Sequence, residues 1–156
     1  MYELPLSLSY VPSYVHRTSY QSVSRMTAIT PTNIKTRFLV LSDTHGLNSL
    51  PDSVSGQEAD VAIHCGHITT ESKMEECRAS IRLLQSVNAP LKLVIAGNHD
   101  FTLDAPAFQE KVAESWPPLD PNMIEQVYGF YGDARHILNE AAGITSLDEG
   151  TYSFLS

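Results

Sequence analysis

Three short apolar runs lie in the middle of the chain, and each one ends at a polar turn that contains glycine. The runs cover residues 38–41, 60–65 and 91–96. Continuous apolar runs bounded by turn signals are typical of strands that are covered on both faces, as in a parallel α/β sheet. The pattern therefore predicts three parallel strands, each with a polar cluster at its carboxyl end.

A helix is predicted between the second and third runs, over residues 71–87. Its apolar side chains recur at three- and four-residue steps and form one stripe: Met74, Cys77, Ile81, Leu84 and Val87. Ser72 and Glu75 have the spacing of a capping box, and Pro90 marks the end of the helix. Strand, helix and strand together predict a right-handed βαβ unit.

The last third of the chain carries two further helix starts. Asp104 and Asp120 are each placed to cap a helix that has a proline in its first turn. Gly129 and Gly132 leave open whether the second helix is broken into two. Residues 144–156 have the pattern of a strand, a turn and a second strand. The predicted fold class is α/β, a mainly parallel sheet with flanking helices.

Composition and charge narrow the range of functions. The 156 residues suit one domain, 42% of them are hydrophobic, and the formal net charge is −8. We therefore expect no binding to a nucleic-acid backbone or to an anionic membrane. A phosphate substrate stays compatible with this charge, because bound cations would dominate the local field.

The sequence also predicts the compartment and the extent of the folded part. Cys65 and Cys77 make no disulfide framework, no apolar run approaches the roughly 20 residues of a membrane helix, and the start lacks the order of a secretory signal. We expect a soluble, cytoplasmic protein. Residues 1–36 show no helical or strand period and are interpreted as a disordered extension or an untrimmed gene start. Residues 37–156 are interpreted as the folded domain.

Candidate chemistry is concentrated at the predicted strand ends. Parallel strands end at one edge of a sheet, where ligands collect. The side chains expected at this edge are Asp43, His45, His67, Asn98 and His99. Carboxylate, imidazole and amide groups suit Mn²⁺, Fe²⁺ or Zn²⁺. Two such ions about 4 Å apart can clamp a phosphate group and activate a water molecule.

The motifs that hold these residues resemble a known family. Asp-Thr-His at 43–45, Gly-His at 66–67 and Gly-Asn-His-Asp at 97–100 are similar to the motifs of the calcineurin-like metallophosphoesterases. The residues that flank these motifs are most similar to those of the metallophosphoesterase-domain proteins of fungi and animals. The resemblance covers residues 35–156 and corresponds to the N-terminal half of the family domain, which is a four-layer αββα sandwich.

The resemblance implies a role for each matching residue. Asp43 and His45 would hold the first metal, and Asn98 would hold the second. His99 would stabilise substrate charge or protonate the leaving group. Asp100 would orient the ring of His99. The implied reaction is hydrolysis of a small phosphoester, in the first instance a phosphodiester, by a water that two metals activate.

His67 departs from the family pattern. The family has an aspartate at this position, and its carboxylate bridges the two metals. A neutral imidazole has one free lone pair and cannot bridge two cations. The second metal is therefore expected to bind weakly, or His67 is a terminal ligand in a site for one metal.

The later histidine motifs of the family are a second departure. After His99 the sequence has one histidine, His136, in a predicted helix and without a neighbouring glycine. The second sheet of the family sandwich brings those motifs, so the sheet face that meets it is expected to expose apolar residues here. Such a face favours self-association. We expect impaired hydrolysis; the alternatives are a non-catalytic remnant and a binding module for one metal.

Overall fold

A single four-stranded parallel sheet organises the fold. The computed structural model describes residues 35–154, so the predicted extension lies almost wholly outside the described residues. The strands are β1 (Phe38–Leu41), β2 (Val61–His64), β3 (Leu91–Val94) and β4 (Thr145–Ser146), and they lie side by side in chain order. The predicted α/β class with a parallel sheet is confirmed. Among the described residues the sheet has no second sheet packed on it.

The connections between strands contain five α-helices and one short 3-10 helix. They are α1 (Asp52–Ser55), α2 (Met74–Ser86), a 3-10 helix (Phe101–Leu103), α3 (Ala105–Glu114), α4 (Pro121–Tyr128) and α5 (Asp133–Asn139). Asp104 and Asp120 cap α3 and α4 as predicted, because their carboxylates accept from backbone N–H groups at 3.1 and 2.8 Å. Left-handed Gly129 and Gly132 separate α4 from α5, so the open alternative is settled as two helices.

Two local predictions are wrong. Helix α2 begins three residues later than expected, because the carboxylate of Glu76, not Glu75, accepts from the backbone N–H of Lys73 at 3.1 Å. Ser72 is instead left-handed, and its hydroxyl pairs with that of Thr102 at 2.7 Å. At the other end of the chain, β4 has two residues, and residues 151–154 form no second strand.

The core lies on one face of the sheet. Paired rows of β1, β2 and β3 point toward the helices, and their buried members are Leu39, Leu41, Ala62, His64 and Val94. The predicted stripe of α2 faces this core, with Ile81 partly buried and the other four members buried. Helix α5 packs beside α2 and adds Ala134 and Leu138. The helical periodicity of the sequence therefore predicted correctly which face of α2 packs against the core.

The other face of the sheet is open. Phe38 is 38% exposed, Val40 is 43% exposed and Ile95 is 39% exposed, and all three project from the side opposite the helices. The prediction that the strands are covered on both faces is wrong for the part of the chain that the structure describes. The expected exposure of apolar residues is found at these three positions, whereas Leu93, which lies in the same cross-strand row as Val40, is buried. In the same described range, none of the helices is both long enough and apolar enough to cross a bilayer.

Candidate metal centre

The turns that follow β1 and β2 run side by side at the carboxyl edge of the sheet. Backbone hydrogen bonds join them beyond the strands, from Asp43 to Gly66 at 3.2 Å, from His45 to His67 at 3.0 Å and from Gly46 to Ile68 at 2.7 Å. Asp43, His45 and His67 all have positive φ angles, of 56°, 49° and 54°. Residues other than glycine rarely have positive φ angles, and residues with such backbone strain are concentrated at functional sites. The turns thus aim three polar side chains at one place.

Two glycines allow the third turn to join the other two. A Cβ on Gly97 would lie 2.5 Å from the backbone nitrogen and ring Cδ2 of His67. A Cβ on Gly66, whose φ is 99°, would lie 2.9 Å from the backbone of Gly97. No Cβ fits at such distances, so the close approach of the two turns requires glycine at both positions.

The predicted site residues come together at this edge. Ligand atoms of Asp43, His45 and His67 lie within 4.8 Å of one another. The ring of His99 completes a group of three imidazoles, with centroids 4.8 Å from His67 and 5.7 Å from His45. Asn98 joins the group through His67. The exposed His136 lies on α5.

The ring of His67 spans the gap between Asp43 and Asn98. Its Nδ1 lies 2.6 Å from the Oδ1 of Asp43, and its Nε2 lies 2.5 Å from the Oδ1 of Asn98. Both ring nitrogens face acceptor oxygens, which raises the pKa of His67, with Asn98 as the larger cause and Asp43 as the next. The pKa of Asp43 is lowered, first by the hydroxyl of Ser42 and then by His67. The ring of His67 thus links the carboxylate of Asp43 to the amide of Asn98, two side chains of the kind that bind metal ions.

Asp100 does not contact the ring of His99. The Nδ1 of His99 instead lies 2.7 Å from the carbonyl oxygen of Thr70. The Asp100 carboxylate is 1% exposed and accepts from the backbone N–H groups of Ile68, Thr69 and Gly97 and from the hydroxyl of Thr69. The predicted direct contact between Asp100 and His99 is therefore wrong. The carboxylate joins the turn after β2 to the turn after β3.

With this geometry, comparison with known proteins settles the family. The sequence profile described as calcineurin-like phosphoesterase matches residues 36–154. The chain belongs to the calcineurin-like phosphoesterase family. The strand-end position of the cluster agrees with the place where ligands bind in open parallel sheets.

Individual relatives match shorter stretches. Metallophosphoesterase domain-containing protein 1 of Homo sapiens is 39% identical over 69 residues, which are 44% of this chain and 20% of that protein. The Mus musculus protein of the same name gives the same figures. A protein named probable rhamnogalacturonate lyase C, from Emericella nidulans, is 36% identical over 87 residues, 53% of this chain and 8% of its own length. The chain thus spans about one fifth of the mammalian relatives that it matches.

The cluster of Asp43, His45 and His67 fits one divalent cation better than two. Asp43, His45 and His67 offer one carboxylate and two imidazoles within 4.8 Å, a ligand set that suits zinc and other borderline ions. The geometry does not fit a bridged pair of ions, because no carboxylate stands at position 67 and the imidazole there engages the oxygen of Asn98. A second ion therefore has neither its bridge nor a free amide ligand.

His64 supports this candidate metal site from inside the core. Its Nε2 lies 2.9 Å from the hydroxyl of Thr44, the residue between Asp43 and His45. The ring is 1% exposed, and its Nδ1 has no hydrogen-bond partner among the described residues. Burial lowers the pKa of His64 to about 4, although Asp100 and Asp43 oppose this change. The ring is therefore neutral near pH 7.

The stability of the chain should fall on acidification because of His64. Its folded-state pKa of about 4 lies below the ordinary value of 6.5, so the unfolded chain takes up this proton first. The stabilisation is complete above pH 6.5 and is lost as the pH falls toward 4. Each pKa unit is worth about 1.4 kcal/mol, so roughly 3 kcal/mol of the free energy of unfolding is at stake.

Urea unfolding from pH 7 to pH 4 measures this effect by comparing variants. His64→Leu should flatten the pH dependence, whereas His136→Leu, which removes an exposed histidine, should leave it as in the parent chain. Other acidic groups titrate equally in all three proteins, so the difference isolates His64. Parallel curves for His64→Leu and the parent chain would contradict the prediction.

Sequence reasoning missed the residues that support the site. Thr69 and Thr70 bind ring nitrogens through their backbone carbonyls at 3.3 and 2.7 Å. Backbone carbonyls carry no side-chain signature, so no motif marks them. The hydroxyl of Thr44 and the ring of His64 meet across 20 positions of sequence. The one sequence signal for the role of His64 was the position of a histidine within an apolar strand.

Proposed function

We propose that this chain carries the metal-binding face of a phosphoesterase that hydrolyses phosphodiesters. The observation that carries the proposal is the convergence of three strand-end turns on one cluster, formed by Asp43, His45, His67, Asn98 and His99. A bound divalent cation supplies the Lewis acid that activates water and neutralises charge on the phosphate group. It is part of this proposal that the chain shares the activity of its longer relatives.

The other roles in the reaction are assigned to residues of this chain. Asp43 and His45 would hold the cation through a carboxylate oxygen and an imidazole nitrogen. His99 has its Nδ1 engaged with Thr70, so its Nε2 is the ring atom that faces substrate. When the ring is protonated, Nε2–H can donate to a phosphate oxygen or give its proton to the leaving oxygen. Asp100 accepts hydrogen bonds from the backbone of the turns and makes none with the ring of His99.

The reaction is expected to be slow in this chain. The ring of His67 stands where the family has a bridging carboxylate and is hydrogen-bonded to Asp43 and Asn98, two groups that would otherwise bind a cation. Binding of a cation must displace these hydrogen bonds. The two-metal reaction of the family is therefore impaired here.

A binding module for one metal is the second candidate. It is favoured by the compact set of Asp43, His45 and His67, which holds the minimum three protein ligands of an open zinc site. Calorimetric titration separates the candidates. One Zn²⁺ per chain without hydrolysis supports the binding module, and absence of heat with both Zn²⁺ and Mn²⁺ removes both.

Hydrolysis of an aryl phosphodiester by the metal-stripped chain, with and without Mn²⁺, tests the proposed function. We expect a low rate that requires Mn²⁺ and is lost in Asp43→Asn. Asp52→Asn is the matched control, because Asp52 is exposed on α1. If the chain and Asp43→Asn hydrolyse no faster than a blank that contains metal alone, the protein is a non-catalytic remnant or a binding module.

The uncovered sheet face gives a proposal about assembly. We expect two copies of this chain to pack through the face that exposes the apolar side chains of Phe38, Val40 and Ile95. Val40→Lys places a charge at its centre and should convert dimers to monomers in light scattering. Ser53→Lys, on an exposed turn of α1, should leave the mass unchanged. A monomeric parent chain at high concentration would contradict this expectation.

A cytoplasmic location and the absence of nucleic-acid partners complete the proposal. Cys65 and Cys77 are both free thiols, as expected in a reducing compartment. The net charge of −8 opposes binding to a polyanion. Small phosphoesters are therefore the proposed substrate class.

A further inference from the structure

Two consecutive backbone carbonyls face two histidines of the site. The carbonyl oxygen of Thr69 lies 3.3 Å from the Nδ1 of His45, and that of Thr70 lies 2.7 Å from the Nδ1 of His99. A carbonyl oxygen can only accept a hydrogen bond, so each Nδ1 must carry the hydrogen. The lone pair of each neutral ring is then on Nε2.

This tautomer is the one that the site requires. The Nε2 of His45 lies on the side of Asp43, 3.8 Å from its Oδ1, where a cation would be held. The opposite tautomer would point an N–H group at the cation and remove the ligand. Metal-binding histidines in general have the second nitrogen fixed by a carboxylate or a backbone carbonyl.

The two carbonyls are themselves held in place. The backbone N–H and the hydroxyl of Thr69 donate to the Asp100 carboxylate at 2.8 and 2.6 Å. The hydroxyl of Thr70 donates to the backbone carbonyl of His45 at 3.0 Å. Because Asp100 is 1% exposed, water cannot compete for its oxygens. The segment is thus anchored on one side to the core and on the other to the site.

We propose that the Thr69–Thr70 segment, anchored by the buried Asp100 carboxylate, sets the tautomers of His45 and His99. Asp100 is then a positioning residue that acts on the two rings through Thr69 and its neighbour, and not by contact. The inference rests on the proposed function only for its catalytic consequence. The tautomers themselves are a property of the chain without metal or substrate.

Long-range ¹H–¹⁵N correlation spectra of the imidazole rings test the proposal. Metal-free, ¹⁵N-labelled protein is measured at pH 8.5, where unperturbed imidazoles are neutral. His45 and His99 should show the Nδ1–H form, whereas the exposed His136 should show the Nε2–H preference of free histidine. Thr69→Val removes the hydroxyl that lies 2.6 Å from the Asp100 carboxylate and 3.2 Å from the backbone carbonyl of His99. Since one hydrogen bond is worth about 1 kcal/mol, this change should raise the Nε2–H fraction of both site rings about fivefold. Asp100→Asn should raise it further.

Thr102→Val is the matched control. Thr102 is 2% exposed and Thr69 is 1% exposed, and each hydroxyl has a buried partner, but that of Thr102 bonds to Ser72. This variant should lose stability without a change in tautomers. Nε2–H rings at His45 and His99 in the parent chain, or equal shifts in both threonine variants, would overturn the proposal. If Asp100→Asn does not fold, Thr69→Val decides alone. The tautomers can be measured in the same way whether or not the chain hydrolyses phosphoesters, so this result is separable from the proposed function.

Discussion

The His67→Asp variant is expected to bind Mn²⁺ about 100-fold more tightly than the present chain, and to hydrolyse an aryl phosphodiester faster by a similar factor. The substitution replaces a ring that is hydrogen-bonded to Asp43 and Asn98 with a carboxylate, which can only accept hydrogen bonds. It also frees the oxygen of Asn98 and adds at least one negative charge. Calorimetry should then show two ions per chain where the parent chain binds one.

The magnitude follows from electrostatics. Two unit charges 4 Å apart interact by about 4 kcal/mol at an effective dielectric constant of 20, and a 100-fold change in affinity corresponds to about 2.8 kcal/mol. We take the smaller figure because the site is partly open to water. The variant also restores a ligand that can bridge two cations.

His136→Asp is the control for the change of charge. It makes the same substitution at an exposed histidine on α5, so the metal affinity should stay that of the parent chain. If His67→Asp and His136→Asp bind Mn²⁺ equally, His67 is not the cause of weak binding. If the affinity rises but hydrolysis stays absent, the missing catalytic groups lie elsewhere.

Gly97→Ala is expected to lower the free energy of unfolding by about 3 kcal/mol, at the upper end of the cost of overpacking. The added Cβ would lie 2.5 Å from the backbone nitrogen of His67, and a backbone atom cannot move aside as the end of a flexible side chain can. The turns after β2 and β3 must separate, which stretches the hydrogen bonds of Asp100. The metal affinity should fall together with the stability.

Urea unfolding and metal titration measure this prediction, with Gly56→Ala as the control. A Cβ on Gly56 has no atom within 4 Å, and the φ of −97° suits any residue. Alanine there should leave the unfolding midpoint unchanged or raise it slightly. A Gly97→Ala protein with the midpoint of the parent chain would show that the two turns are not in forced contact.

The sequence by itself determined the first three strands, the main helices and the edge of the sheet that carries the site. Strands and helices follow from short-range periodicity, and this is why the stripe of α2 and the caps at Asp104 and Asp120 were predictable. Parallel strands have their carboxyl ends at one edge, so the order of motifs along the chain was enough to bring Asp43, His67 and Asn98 together.

Only the tertiary structure decided what each polar group of the site touches. The ring of His67 contacts Asn98, which is 31 residues later in the sequence, and the carboxylate of Asp100 contacts Thr69, which is 31 residues earlier. Such contacts depend on side-chain directions and on backbone carbonyls, neither of which has a sequence period. The sign of φ at Ser72 likewise reflects its bond to Thr102. The open face of the sheet was decided by what packs on it, because an apolar run has the same pattern whether one or two faces are covered.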